Sequence, residues 1–83
     1  MTTESRLRAI VAAHLNIEPE AVHAEAKLMA DLTADSLDVV ELSLLIEDEM
    51  HVQITDDEGD AMFEATFGDL VAMVNGKVPV HAE

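Results

Sequence analysis

Apolar side chains at the start of this sequence recur every three or four residues. Leu7, Ile10, Val11 and Leu15 are spaced i, i+3, i+4 and i+8, which is typical of a helix that buries one stripe. No segment of similar length alternates apolar and polar residues, and Val52-Gln53-Ile54 is too short to count as a strand. The chain is therefore predicted to be all-α.

Capping residues and breakers set the expected limits of the first two helices. Helix one should stop near Asn16, because Pro19 follows it. Helix two should begin at Asp35 or Ser36, with Asp35 capping the free backbone donors, and should run to about Met50. We expect the long connection between them to be ordered, since its apolar residues would otherwise face water: Ile17, Val22, Leu28, Met29 and Leu32.

Two more helices are expected in the second half of the chain. A T-x-x-E capping box at Thr55 predicts a short third helix. The fourth should start at Thr66 and end at Asn75, with Gly76 as a left-handed C-terminal cap. Residues 78–83 are expected to form a frayed tail. The 83 residues thus predict one domain over 1–83, a small four-helix bundle of three main helices and one short helix.

Charge and cysteine content exclude several classes of function. With 18 acidic and 4 basic side chains the formal net charge is -14, so nucleic acid and anionic membranes are unfavourable partners. The absence of cysteine excludes disulfides, a thiolate nucleophile and cysteine-type zinc sites. No apolar run is long enough for a signal peptide or a membrane span. We expect a cytoplasmic protein without membrane insertion.

The predicted second helix has two apolar faces. At 100° per residue, one face holds Val39, Leu42, Ile46 and Met50, and the other holds Leu37, Val40 and Leu44. The second face is bordered by carboxylates of Glu41, Glu47 and Asp48. A central bundle helix buried on two sides explains this pattern, and so does a docking strip for a basic partner. The absence of Lys and Arg between Lys27 and Lys77 favours the docking strip.

Ser36 lies at the predicted first turn of helix two. Serine is common there simply as a capping residue. A phosphodiester on its hydroxyl would face the free backbone donors and the positive end of the helix dipole, although Asp35 and Asp38 would repel it. The position accommodates a phosphate group without strongly attracting one.

Catalytic and metal-binding alternatives have weaker support. An exposed helix-start serine in a small bundle has no means of assembling a base and an oxyanion pocket, so we do not expect an enzyme. No two histidines have a zinc-type spacing. An EF-hand alignment on Gly59 places Ile54 and Ala65 where oxygen ligands are needed. No specific metal site is predicted, and loose divalent-ion binding that relieves repulsion remains a hypothesis.

The segment around Ser36 resembles the acyl carrier protein family. Asp31-Leu32-Thr33-Ala34-Asp35-Ser36-Leu37-Asp38, followed by Val39-Val40-Glu41-Leu42 and the acidic run 47–49, is similar to the modification site and recognition helix of those proteins. The resemblance covers the chain from helix one to Gly76. It implies that Ser36 receives a 4′-phosphopantetheine arm from coenzyme A through a phosphopantetheinyl transferase. The terminal thiol of the arm would then hold acyl groups as thioesters.

The resemblance also implies a division of labour along helix two. Basic, partly apolar patches on acyl-transferring and chain-elongating enzymes would contact Asp35, Leu37, Asp38, Val40, Glu41, Leu44, Glu47 and Asp48. A growing acyl chain would shelter among Met29, Val39, Leu42, Ile46 and Met62. The implied function is acyl delivery by a monomer in fatty acid or related lipid and polyketide synthesis. A peptidyl or aminoacyl carrier and an unmodified acidic interaction module are the alternatives.

One position departs from the family pattern. The family commonly has glycine where this chain has Thr33, so the turn before Ser36 is expected to be tighter or differently shaped. The region of Gly59, Phe63 and Phe67 also differs from the housekeeping members and indicates a specialised carrier.

Overall fold

The computed structural model describes residues 2–77, and the predicted tail at 78–83 lies outside them. These residues form four α-helices and two short 3-10 turns: α1 (Thr3–Leu15), a turn at Pro19–Ala21, α2 (Ser36–Met50), α3 (Asp56–Ala61), a turn at Met62–Glu64, and α4 (Phe67–Asn75). Within residues 2–77 the sole β-type contact is an isolated bridge between Lys27 and Thr66. The prediction of an all-α, four-helix bundle is confirmed.

The end of α1 and the start of α2 lie where the sequence predicts, and a local cap sets each of them, although the predicted end of α1 was inferred from Pro19. Asn16 adopts the left-handed conformation with φ 58° and closes α1. Asp35 caps α2 by accepting from the Asp38 N–H, and the Asp38 carboxylate accepts in return from the Asp35 N–H. This reciprocal pair satisfies two of the donors that a helix start leaves free. Short-range contacts therefore set the end of α1 and the start of α2.

The ends of α3 and α4 agree with the sequence except at Gly76. Thr55 and Thr66 both form capping boxes. Gly76 has φ -80° and is right-handed, so the predicted left-handed cap is wrong. Instead, its N–H bonds to the Ala72 carbonyl and the Lys77 N–H bonds to that of Val74. The last turn of α4 is tighter than an α-helix, and its carbonyls accept these two hydrogen bonds. A left-handed cap is therefore not needed to satisfy them.

The long connection between α1 and α2 is ordered against the start of α4. The amides of Phe67 and Gly68, which have no partner inside α4, donate to the carbonyls of Ala26 and Ala24 at 2.8 Å each. A Cβ on Gly68 would lie 3.0 Å from the Ala24 oxygen. Glycine at this position therefore allows the loop backbone to approach the helix closely.

The core lies where α1, α2, α4 and the connection meet. Val39, Leu42 and Ile46 point into it from α2 and are at most 1% exposed. Of the loop residues predicted to pin the connection, Val22, Leu28 and Leu32 are buried, while Ile17 and Met29 are partly buried. Among the described residues, no helix has the length and apolar character needed to cross a bilayer.

Candidate functional site

Ser36 is the first residue of α2, and its side chain is exposed. Within residues 2–77, no hydrogen bond ties its hydroxyl to the protein. The capping box occupies the amides of Asp35 and Asp38, so the amides of Ser36 and Leu37 remain for solvent or a bound group. Capping is therefore the role of Asp35, which leaves the Ser36 hydroxyl available for modification.

The turn before Ser36 contains a backbone conformation that threonine rarely adopts. Thr33 has φ 61°, in the left-handed region, which is an outlier for a β-branched residue. The buried neighbours Leu32 and Ala34 hold it there, since their amides bond to the carbonyls of Lys27 and Leu28. Left-handed geometry is the conformation that glycine supplies without steric cost. Threonine thus occupies a glycine-type turn here.

The second apolar face of α2 lies on the surface. Leu37 is 64% exposed, Val40 46% and Leu44 59%. The sequence left open whether neighbouring helices bury this face, and the structure shows that they do not. Leu45, at 37% exposed, extends the apolar surface toward α1 and was not foreseen. We call Leu37, Val40, Leu44 and Leu45 the apolar strip.

The carboxylates predicted to border the apolar strip differ in what they contact. Asp48 is exposed on α2. Glu47 reaches back to accept a hydrogen bond from the Ile54 N–H at 2.8 Å, so it also orders the segment before α3. Asp35 and Asp38 form the capping box, and Glu41 lies close to the imidazole of His14 on α1. Several of these side chains therefore hold local structure as well as facing solvent.

A cluster that the sequence did not reveal joins α1 to α2. The His14 Nε2 atom lies 3.3 Å from Asp38 Oδ1 and 3.1 Å from Glu41 Oε1. The spacing argument considered only pairs of histidines along the chain. It could not detect the contact between His14 on α1 and the two carboxylates on α2. A histidine in the last turn of α1, beside the buried stripe of that helix, is the signal that was present in the sequence.

The five residues expected to shelter an acyl chain are not all in one cavity. Leu42, Ile46 and Met62 are closed in the core at 1% exposure or less, and Met29 is partly buried beside it. Val39 also lines an open groove of about 440 Å³ between α2 and α3. Other residues of that groove include Val40, Ser43, Leu44, Ile54, Gly59 and Phe63.

An ion pair fastens the C-terminal end of α4 to α3. The Lys77 ammonium donates to the Glu58 carboxylate, which also accepts from the Thr55 N–H. The hydrogen bond from Lys77 and then the bond from Thr55 hold the pKa of Glu58 below its ordinary value of 4.5. This contact includes none of the residues around Ser36 and holds the scaffold together.

Comparison with protein families gives a match over most of the chain. A family model described as "Phosphopantetheine attachment site" matches residues 5–74. The match includes Ser36, the apolar strip and all four helices apart from the end residues of α1 and α4.

Individual relatives agree with this match. The chain is 41% identical to an acyl carrier protein of Wolinella succinogenes, over 82% of the chain and 87% of that protein. It is 42% identical to an acyl carrier protein of Thermosynechococcus vestitus, over 88% of each. An acyl carrier protein of a Sulfurovum species is 38% identical over 82% of the chain and 88% of that protein.

Proposed function

The chain belongs to the acyl carrier protein family, and from this premise we propose that the Ser36 hydroxyl carries its 4′-phosphopantetheine arm. The observation that carries the proposal is an exposed hydroxyl, without a protein partner among residues 2–77, at the first position of α2. The neighbouring Asp35 and Leu37 complete the family's Asp-Ser-Leu motif.

The surroundings of Ser36 fit a phosphodiester. The amides of Ser36 and Leu37 face outward at the positive end of α2, where anionic oxygens are favoured. When attached, the arm supplies the thiol that a chain without cysteine lacks, and acyl groups are held on it as thioesters. The carboxylates of Asp35 and Asp38 would repel the phosphate, but each already accepts a backbone N–H of the other residue, so the capping box holds them in a fixed arrangement while the amides of Ser36 and Leu37 remain for the phosphate.

The protein is a carrier and not a catalyst. Its family acts by presenting acyl groups to other proteins, and a phosphopantetheinyl transferase and biosynthetic enzymes are accordingly its partners. In the modification step Ser36 is a substrate, and the transferase supplies the base and the metal. Ser36 must therefore be reachable from solvent, as its exposed position allows.

Intact-mass measurement tests this attachment site. The purified apo chain is incubated with coenzyme A, Mg²⁺ and a phosphopantetheinyl transferase. We expect a mass gain of one phosphopantetheinyl group, which Ser36→Ala abolishes. Ser43→Ala is the matched control, because Ser43 lies on the same helix with its hydroxyl bonded to the Val40 carbonyl. Loss of the gain in Ser43→Ala, or its persistence in Ser36→Ala, would place the arm elsewhere.

We further propose that the apolar strip and the acidic groups beside it dock the partner enzymes. Leu37, Val40 and Leu44 supply apolar area, and Asp35, Asp38, Glu41, Glu47 and Asp48 supply a single sign of charge. Complementary charge accelerates encounter and selects partners, and salt screens it. The partner patch is therefore basic at its rim and apolar at its centre.

Charge reversal at matched positions tests the docking surface. Asp48→Lys should slow association with the transferase, whereas Glu25→Lys changes the net charge equally from an exposed position in the α1–α2 connection. We expect a loss of at least about tenfold in the association rate for Asp48→Lys at low salt, and a smaller loss for Glu25→Lys. Equal effects would mean that net charge alone governs encounter.

The sheltered acyl chain is proposed to enter between α2 and α3. The groove there is lined by Val39, Leu44 and Phe63, and Leu42, Ile46 and Met62 lie in the core behind α2 and α3. Flexible Met62 and Met29 suit a core that must adjust to a ligand. Acyl groups of increasing length on the arm should progressively protect the amides of this region from hydrogen exchange. Unchanged protection would keep the acyl chain outside the bundle.

Relatives described as acyl carrier proteins favour an acyl load over a peptidyl or aminoacyl one. We propose delivery to fatty acid or related lipid and polyketide enzymes, by a monomer in the cytoplasm. Loading assays with acyl and aminoacyl adenylating enzymes distinguish the two kinds of cargo.

A further inference from the structure

Three potential metal ligands converge where α1 passes the first two turns of α2. His14 contributes Nε2 from α1, and Asp38 and Glu41 contribute one carboxylate oxygen each from α2. The three atoms lie within 4.8 Å of one another. Side-chain exposure is 20% for His14, 32% for Asp38 and 46% for Glu41, so the cluster is sheltered on the helix side and open to solvent on the other.

The imidazole nitrogen in this cluster lacks a satisfactory partner. His14 Nε2 is itself buried and makes no hydrogen bond of acceptable geometry among the described residues. Unpaired buried nitrogens are uncommon and call for a cause. The nitrogen lies 3.1–3.3 Å from two carboxylate oxygens without hydrogen-bond geometry to either, and a cation placed between the three atoms would give it a partner.

We propose that His14, Asp38 and Glu41 bind a divalent transition-metal ion of the Zn²⁺ class, which links α1 to the start of α2. Bonds of about 2.0–2.1 Å in a tetrahedral site place neighbouring ligand atoms about 3.3 Å apart. The two measured separations from Nε2 are 3.3 and 3.1 Å. The two separations from the imidazole therefore already match this spacing, and the two carboxylate oxygens lie within 4.8 Å of each other.

The donor set selects among cations. One imidazole and two carboxylates suit Zn²⁺ and its neighbours, whereas Mg²⁺ and Ca²⁺ prefer oxygen ligands alone. Three protein ligands leave a fourth position for water. The other oxygen of Asp38 accepts from the Asp35 N–H at 3.1 Å, and this second contact orients the ligand carboxylate.

The ion would also affect docking, a consequence that rests on the function proposed above. Asp38 and Glu41 are two of the proposed docking carboxylates, and an ion bound to both would neutralise charge that a basic partner needs. Metal binding should therefore weaken transferase association. Metal binding is tested on the unmodified chain without a partner enzyme. A chain that binds no metal would therefore refute the metal site and leave the carrier function untouched.

Calorimetric titration of the apo chain with Zn²⁺ in excess Mg²⁺ tests the site, at about pH 7.5 because a ligating imidazole must be neutral. We expect one saturable site that His14→Gln weakens at least about tenfold. His23→Gln, the same change at an exposed loop position, is the matched control and should bind normally. Glu41→Gln should weaken binding without affecting the capping box.

Nuclear magnetic resonance of the imidazoles identifies the ligand directly. Zn²⁺ should shift the Nε2 resonance of His14 at a stoichiometry of one ion per chain, while Mg²⁺ alone should leave it unchanged. Equal Zn²⁺ affinity in His14→Gln and the wild-type chain would overturn the proposal. A shift confined to other histidines would overturn it as well.

Discussion

Thr33 is the position at which a single substitution should stabilise the fold. Its φ of 61° costs a residue with a Cβ about 1–2 kcal/mol relative to the right-handed region. The neighbours Leu32 and Ala34 are 7% and 4% exposed and are held by backbone hydrogen bonds, so the turn cannot relax. Replacing Thr33 by glycine removes the steric cost.

Two losses oppose this gain. Glycine adds about 0.4–1 kcal/mol of conformational entropy to the unfolded chain. The Thr33 hydroxyl also loses its 2.6 Å hydrogen bond to the Leu32 carbonyl, which contributes about 0.5 kcal/mol at a position open to solvent. With the middle of each range, the balance is a net stabilisation of about 0.3 kcal/mol, or a rise in Tm of about 1–2 °C for a domain of this size.

Chemical and thermal unfolding of three variants tests the reasoning. Thr33→Ala keeps the Cβ in the left-handed region, so Thr33→Gly should exceed it by about 1 kcal/mol in free energy of unfolding. Gln53→Gly, at an exposed loop position without a positive φ, reports the entropic penalty alone and should destabilise. If Thr33→Gly were no more stable than Thr33→Ala, the left-handed strain would be refuted.

Three further predictions concern the scaffold. In urea titrations, Leu42→Ala in the closed core should lower the free energy of unfolding by about 2–5 kcal/mol. The exposed Leu44→Ala should lower it by under about 0.5 kcal/mol. Equal losses would contradict the assignment of the two faces of α2. The hydrogen bond from Lys77 lowers the Glu58 pKa, so the ionised carboxylate stabilises the folded state; this stabilisation is complete well above pH 4.5 and is lost as pH falls through the lowered pKa. The difference in unfolding free energy between the wild-type chain and Glu58→Gln should therefore shrink in acid. A difference that stays constant with pH would exclude the Lys77 contact as its cause. Added Mg²⁺ or moderate salt should raise Tm because it screens the net charge of -14; a lower Tm would contradict the repulsion argument.

Short stretches of sequence were enough to predict the helices and to reveal the Asp-Ser-Leu motif. The caps at Asp35, Thr55 and Thr66 join groups three residues apart, so a short stretch of chain contains all that is needed to form them. The same holds for the left-handed Asn16 that ends α1. Periodicity also separated the two faces of α2, because side-chain direction along a helix is fixed by its geometry.

Residue type alone did not predict the backbone conformation at two positions, Gly76 and Thr33. Gly76 follows a helix, yet it is right-handed because the last turn of α4 tightens. Thr33 is a β-branched residue that disfavours the left-handed region, yet it adopts that conformation because its buried neighbours impose it. In both cases the hydrogen bonds and packing around the residue outweigh its intrinsic preference.

Which surfaces meet depends on the three-dimensional packing of the helices. Whether Leu37 and Leu44 were covered, and whether His14 lay near Asp38, depended on how α1 and α2 pack. The close approach that makes glycine necessary at position 68 depends on the path of a loop more than forty residues away in sequence. Such contacts form when all the helices and the loop pack around one core. A short segment cannot specify them, because the burial of each side chain depends on every element that surrounds it.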